Sequence, residues 1–364
     1  EVEGIRTDVR VVNLSYLGAD WYIEQMERKA YESDPLPMTL TKEKYMQGKR
    51  DVVHIIERLN GYTDLKQAMD FLADDDPRTK LLPNYRERVD HFPNKRFSIN
   101  VDSAKVIENK TIRPEMASNL VPSVKFEINK RYLTKNHLMV LDFLATNNWQ
   151  RPIYYAITVS SDNYLNLDNY FQVHGLAYRI VPLKSEDRTY YRGSIDTKTM
   201  FDNMISKYKW GGIDNSNIYL DENVLRMLSN FRNNFASLSA ALIEENKYDS
   251  AKVVLDKCLE IMPDSMVRFD VFTISMVESY YKLGEIEKAN HIAGILSENV
   301  SNDLDYYISL KDKYNNCLLY EKRLALHILN ELGRILKMYG QEEQAIQLGE
   351  KLRTYALELN FSRS

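Results

Sequence analysis

The sequence predicts an α/β domain followed by an all-α one, the first built on a mainly parallel or mixed sheet and the second an irregular helical-repeat array. Three observations lead there. Strand-like runs alternate with helical periods up to about residue 195, the strand signal then stops, and apolar and small residues recur in helix pairs beyond it. At 364 residues the chain has room for two cores, since single cores stop growing near ~250–300 residues. The expected division is an α/β domain at 1–195, a junction at 196–228 and helical repeats at 229–364.

Val9 to Ser15 is a β-branched run that predicts a strand, and Trp21, Ile23, Met26 and Ala30 recur near helical spacing after it. Pro35 and Pro37 end that helix. Lys42 to Leu59 and Asp64 to Leu72 then read as amphipathic helices separated by Asn60-Gly61. Phe97 to Val101 and Val124 to Ile128 alternate as half-buried strands do, and a helix is expected over Lys135 to Asn147. Pro152 to Val159 is apolar on both faces, the pattern of a central strand covered on each side. Leu176 to Pro182 reads as one more strand, with Pro182 fitting an edge or an end.

Trp210-Gly211-Gly212 and Asp214-Asn215 form the turn cluster of the junction. Beyond it, Phe235, Leu238, Ser239, Leu242, Ala251, Leu255, Cys258 and Pro263 resemble the tetratricopeptide pattern of large, small and terminal-Pro positions. A second unit matches at Met276, Tyr280, Ala289 and Leu296, and a third at Leu329, Leu332, Gly333, Leu336, Ala345 and Leu352. The small residues let helices approach while the large ones fill the gaps. The spacing from Ala289 to Ala345 exceeds the ~34-residue period, so an extra helix is expected over Asp303 to Leu319.

Lys plus Arg number 48 and Asp plus Glu 52, a net charge of -4, so no global positive field recruits nucleic acid. Apolar stretches such as Leu138 to Ala145 fall short of the ~18–20 residues a spanning helix needs. Cys258 and Cys317 lie in helical patterns among apolar neighbours, as core residues rather than a disulfide or metal framework. The opening Glu1-Val2-Glu3-Gly4, without Met, has the look of a cut from a longer protein.

Glu3 to Ser15, Asp20-Trp21-Tyr22-Ile23, Asp34-Pro35-Leu36-Pro37, Arg151-Pro152-Ile153-Tyr154-Tyr155, Thr158 to Tyr164, Gly175 to Arg179 and Trp210-Gly211-Gly212 resemble a Bacteroidetes multi-pass membrane protein family. The membrane half of that family is similar to protein O-mannosyltransferases. The resemblance implies that membrane spans precede Glu1, that this chain is the extracytoplasmic C-terminal region at the periplasmic face of the inner membrane, and that the parent uses a lipid-linked sugar donor. It also implies that the catalytic acid lies in an early loop outside this chain, so no catalytic residue transfers onto it.

In open α/β sheets ligands bind at the carboxyl ends of strands. Asn13, Ser15, Asp102, Ser103, Ser160, Ser161 and Asp162 are the polar residues expected there, and each also suits a helix cap or an Asx turn, the preferred reading. The loop Leu14 to Asp20 has a single glycine, against a dinucleotide site, and six scattered histidines give no paired ligand spacing. Asp20 with Glu24, and Asp74 to Asp76, could be drawn as glycosidic acid pairs, but first-turn and turn roles explain them better. Arg78, Arg86, Arg88, Lys95 and Arg96, with Tyr85 and Phe92 between, form a basic stretch that reads as a solvated loop. Asp102-Ser103-Ala104, Asp249-Ser250-Ala251 and Asp264-Ser265-Met266 resemble a short Bacteroidetes O-glycosylation pattern, with capping preferred.

The expected function is therefore a binding module for a protein or glycan acceptor, presented by the helical repeats, with no cofactor, no metal and no catalytic site of its own. Two alternatives stand: an α/β domain that itself processes a sugar or small molecule at the strand ends, and a free-standing tetratricopeptide scaffold.

Overall fold

A computed structural model describes residues 5–81, 88–185, 193–213, 218–310 and 316–359. Tyr85, Arg86, Glu1 to Gly4 and Asp214-Asn215 lie outside them. The chain divides into two compact units, the first comprising Glu1–Val173 and Ala177–Ser194, the second His174–Leu176 and Ile195–Ser364. A mixed α/β region is followed by an all-helical one, as expected.

In the first unit the helices are α1 (Asp20–Met26), α2 (Lys42–Tyr45), α3 (Leu65–Ala73), α4 (Ser103–Glu108) and α5 (Lys135–Asn147). The strands are β1 (Val52–Ile55), β2 (Thr63–Asp64), β3 (His91–Phe92), β4 (Arg96–Asn100), β5 (Ser123–Glu127), β6 (Tyr132–Thr134), β7 (Tyr154–Ala156), β8 (Phe171–Val173) and β9 (Ala177–Ile180). They form small separate sheets of mixed direction. β1 runs parallel to β3 and antiparallel to β6, β2 is parallel and β5 antiparallel to β4, and β9 pairs antiparallel with both β7 and β8.

Where sequence and structure differ, local bonding explains why. Val9 to Ser15 makes no strand: the Tyr22 hydroxyl accepts the Asn13 N–H and donates to the Val11 carbonyl, so side chains satisfy the backbone that a neighbouring strand would otherwise pair. The helix expected over Lys42 to Leu59 stops at Tyr45, because Gly48 and Arg50 adopt positive φ (82° and 50°), and the β-branched Val52-Val53 then enters β1. Of the run Pro152 to Val159, three residues form β7, which lies at a sheet edge with Tyr154 and Ala156 exposed, so the central-strand expectation fails.

The core of this unit holds Phe92, Phe97 and Phe126 in a ring cluster, with Tyr155, Tyr164 and Phe171 in another. Three buried charges organise the loops around it. Asp142 on α5 accepts N–H bonds from Thr39 (2.8 and 3.0 Å) and Leu40 (3.0 Å), tethering the Pro-rich segment. Lys135 holds Asp20 at 2.9 Å and Asp51 at 2.6 Å. Arg50 donates to the Leu72 carbonyl, and Lys44 to the Ala73 carbonyl at 2.5 Å, placing cations on the negative end of α3, while Asp64 caps its start.

In the second unit α6 (Thr197–Phe201) runs into a π-helical turn, Asp202–Lys207. Then follow α7 (Glu222–Glu244), α8 (Tyr248–Ile261), α9 (Thr273–Lys282), α10 (Ile286–Ser309), α11 (Leu319–Met338) and α12 (Glu342–Glu358), in which α7 packs on α8, α9 on both α10 and α7, and α11 on both α10 and α12. Short turns at 245–247, 283–285 and 339–341 make hairpins of α7–α8, α9–α10 and α11–α12, whereas longer segments separate α8 from α9 and α10 from α11. Ser239, Ala251 and Ala289 are fully buried, consistent with close helix approach. Asp303 to Ser309 prolong α10 rather than forming the separate helix expected there. Arg232, fully buried, donates to the carbonyls of Val267 (2.6 Å) and Arg268 (2.9 Å) and pairs with Asp270 at 3.3 Å, fixing the α8–α9 loop.

Candidate functional site

The seven polar residues expected at strand ends fall in three places, and among the described residues no hydrogen bond, ion pair or ring contact joins one place to another. Asn13 and Ser15 follow no strand. The Asn13 side-chain oxygen accepts the Ser15 N–H at 3.0 Å, an Asx turn that leads into the 3-10 turn Tyr16–Gly18 and α1. Asp102 and Ser103 do follow a strand, β4, and there Asp102 caps α4 by accepting the Lys105 N–H at 3.1 Å. Ser160, Ser161 and Asp162 lie in a 3-10 turn four residues or more past β7.

Each place has a distinct neighbourhood. Around Asn13 and Ser15, the rings of Tyr16, Trp21 and Tyr22 stand 5.6–5.7 Å apart. Tyr22 is buried, whereas Tyr16 and Trp21 are 52% and 55% exposed and form an aromatic ledge.

Beside Asp162 lies His137, whose Nδ1 is 2.9 Å from the Thr134 hydroxyl. That hydroxyl donates to the Asn136 side-chain oxygen, and Asn163 and the Asp162 backbone lie against the imidazole. Burial and then Lys130 hold the imidazole below its ordinary pKa, outweighing its contacts with Asn163 and Asp162.

Near Asp102 the chain turns tightly after α5. Asn148 and Trp149 both have positive φ (41° and 58°), the Trp149 indole donates to the Asn100 carbonyl at 2.7 Å, and Asn109 donates to the Trp149 carbonyl. Behind this turn is a cavity of about 20 Å³ lined by Ile99, Thr111, Trp149, Arg151, Ile153 and Ile180 among others. That is room for one water and not for a sugar. Thr111 is 2% exposed and its hydroxyl has no hydrogen-bond partner.

Acids that could be drawn as catalytic pairs are engaged structurally. Asp20 holds Lys135 and the Gln47 N–H, Glu24 pairs with Lys42 and Arg28, Asp75 with Arg50, and Asp76 with Arg78. Lys95 and Arg96 from the basic stretch pair with Glu57 and Glu127. Among the described residues no group of three His, Cys, Asp or Glu side chains could hold a metal ion, and no helix is long and apolar enough to cross a membrane. Sequence reasoning missed the ledge. Trp21 reads as part of the stripe with Ile23 and Met26, yet Tyr22, Ile23 and Met26 take the buried face and turn Trp21 outward.

The sequence pattern of the TMEM260-associated domain 2 family matches residues 1–199. The chain belongs to that family. The TMEM260-associated segment contains all seven polar candidates, the ledge, His137 and the Thr111 cavity. No curated protein and no solved structure matches the chain.

Proposed function

We propose that this chain is the extracytoplasmic C-terminal region of a membrane glycosyltransferase-like protein, at the periplasmic face of the inner membrane, and that it binds an acceptor or partner without a complete catalytic site of its own. Membership in the TMEM260-associated family supports this, as does the resemblance to membrane proteins of the protein O-mannosyltransferase kind. The lipid-linked donor and the chemistry belong, on this proposal, to the membrane half.

The observation that carries the binding role is the run of helical hairpins from α7 to α12. Stacked hairpins of this kind, which we take as tetratricopeptide-like, extend a surface by one increment per pair. Exposed Tyr248, Tyr306 and Tyr320 supply large rings to such a surface at low entropic cost.

Two measurements test the proposal. The coding sequence upstream of Glu1 should encode many hydrophobic spans. The purified chain, given a polyprenyl-phosphate mannose donor and a peptide acceptor, should transfer no sugar; transfer that stops in Asp102→Ala or Asp162→Ala would overturn the non-catalytic role.

A further inference from the structure

We propose that Tyr16 and Trp21 form a stacking subsite for one uncharged hexose ring of a glycan. This rests on the binding role proposed above but locates a contact in the first unit, on residues unrelated to the helical hairpins.

Geometry comes first. Two half-exposed aromatic residues with ring centroids 5.7 Å apart and ring planes inclined by 49° present an angled apolar surface. Their support is fixed: Tyr22 packs against both rings and is itself held by the Asn13 N–H at 2.7 Å, and the Asx turn at Asn13 sets the approach to Tyr16. A platform that is already ordered loses little entropy on binding.

The rim selects the occupant. The Trp21 indole N–H, the Tyr16 hydroxyl and the Ser15 hydroxyl have no protein partner among the described residues, so hydrogen-bonding atoms border the aromatic faces. A hexose has the complementary character, a C–H face that stacks and hydroxyls at its edge. Charge agrees. The two ionised residues of α1 are paired within the fold, Asp20 with Lys135 and Glu24 with Lys42 and Arg28, so α1 itself offers no unpaired charge beside the rings, which matches an uncharged ligand.

The chain has three tryptophans, so its indole N–H resonances can be resolved and that of Trp21 assigned from Trp21→Phe. Titrating the full chain with maltotriose and with mannotriose should move the Trp21 resonance and leave the buried Trp149 in place. Trp21→Ala should weaken binding about tenfold, as the loss of one ring stack implies, and Tyr16→Ala should weaken it too, while Trp21→Tyr retains most of it. If neither sugar moves the Trp21 resonance, or if phosphatidylcholine vesicles move it and the sugars do not, the subsite is refuted. Cross-linking of a partner through α7 to α12 is scored separately in the same variants, so that result can fail or hold without deciding this one.

Discussion

The hydroxyl of Tyr208 fills the space in which a side chain on Gly175 would begin, and accepts the Leu176 N–H at 3.0 Å. Gly175 also has φ of 105°, a conformation that other residues rarely adopt, and its carbonyl accepts from the Asn234 side chain at 2.9 Å. Gly175→Ala should therefore destabilise the chain by about 2–3 kcal/mol through overlap plus backbone strain. Tyr208→Phe, which removes the bond and keeps the ring, should cost only about 1 kcal/mol. Urea unfolding of the two variants checks the order; equal effects would mean that the glycine position is not strained.

Asp142 gives a pH-dependent prediction. Burial raises its pKa above the ordinary carboxylate value, against the N–H bonds from Leu40 and Thr39 that lower it. Between those two pKa values the folded chain keeps a proton that the unfolded chain has released, so this group's contribution to stability falls as pH rises through that window. Asp142→Asn should flatten that part of the profile. It should also lower stability by about 1–3 kcal/mol near pH 7, because in either orientation its NH₂ group would face the Thr39 N–H.

Thr111→Val tests the cavity behind the Trp149 turn. The substitution keeps shape and removes a buried hydroxyl without a hydrogen-bond partner, so Tm should stay the same or rise, by an amount equivalent to about 1 kcal/mol. A fall in Tm of several degrees would mean that the hydroxyl is bound through a water in the 20 Å³ space.

The two cysteines should differ sharply in reactivity. Complete burial pushes the Cys258 thiol up to about 12, whereas Cys317 is exposed. Native protein should give one fast-labelling thiol with a maleimide at pH 7.5, lost in Cys317→Ser, and a second only after unfolding. Rapid double labelling would show that the α7–α9 core opens readily.

Periodic elements were legible in the sequence and tertiary substitutions were not. The helix at Lys135 to Asn147 and the strands near Phe97 and Phe126 follow from local patterns that no neighbour overrides. Val9 to Ser15 has strand composition, but a distant hydroxyl, that of Tyr22, takes over the bonds a strand would make. Likewise the roles of Lys135, Asp142 and Arg50 depend on partners far along the chain, such as Asp20, Thr39 and Leu72, which spacing cannot reveal. Capping at Asn13 and Asp102 was foreseeable, because an Asx turn or N-cap needs only residues two or three positions away. The exposed ledge was hidden, since one turn of helix does not say which side of Trp21 meets solvent.

The packing of α7 through α12 on helices one or two places away in the chain has a kinetic corollary. Contacts that close short loops form fast, and a linear stack has no single interface whose loss dissolves everything. Hydrogen exchange along this array should consequently be graded rather than uniform, with α12, which buries Leu348 but turns Glu343, Gln347, Glu350 and Lys351 to solvent, unzipping first and α7 to α9 holding longest.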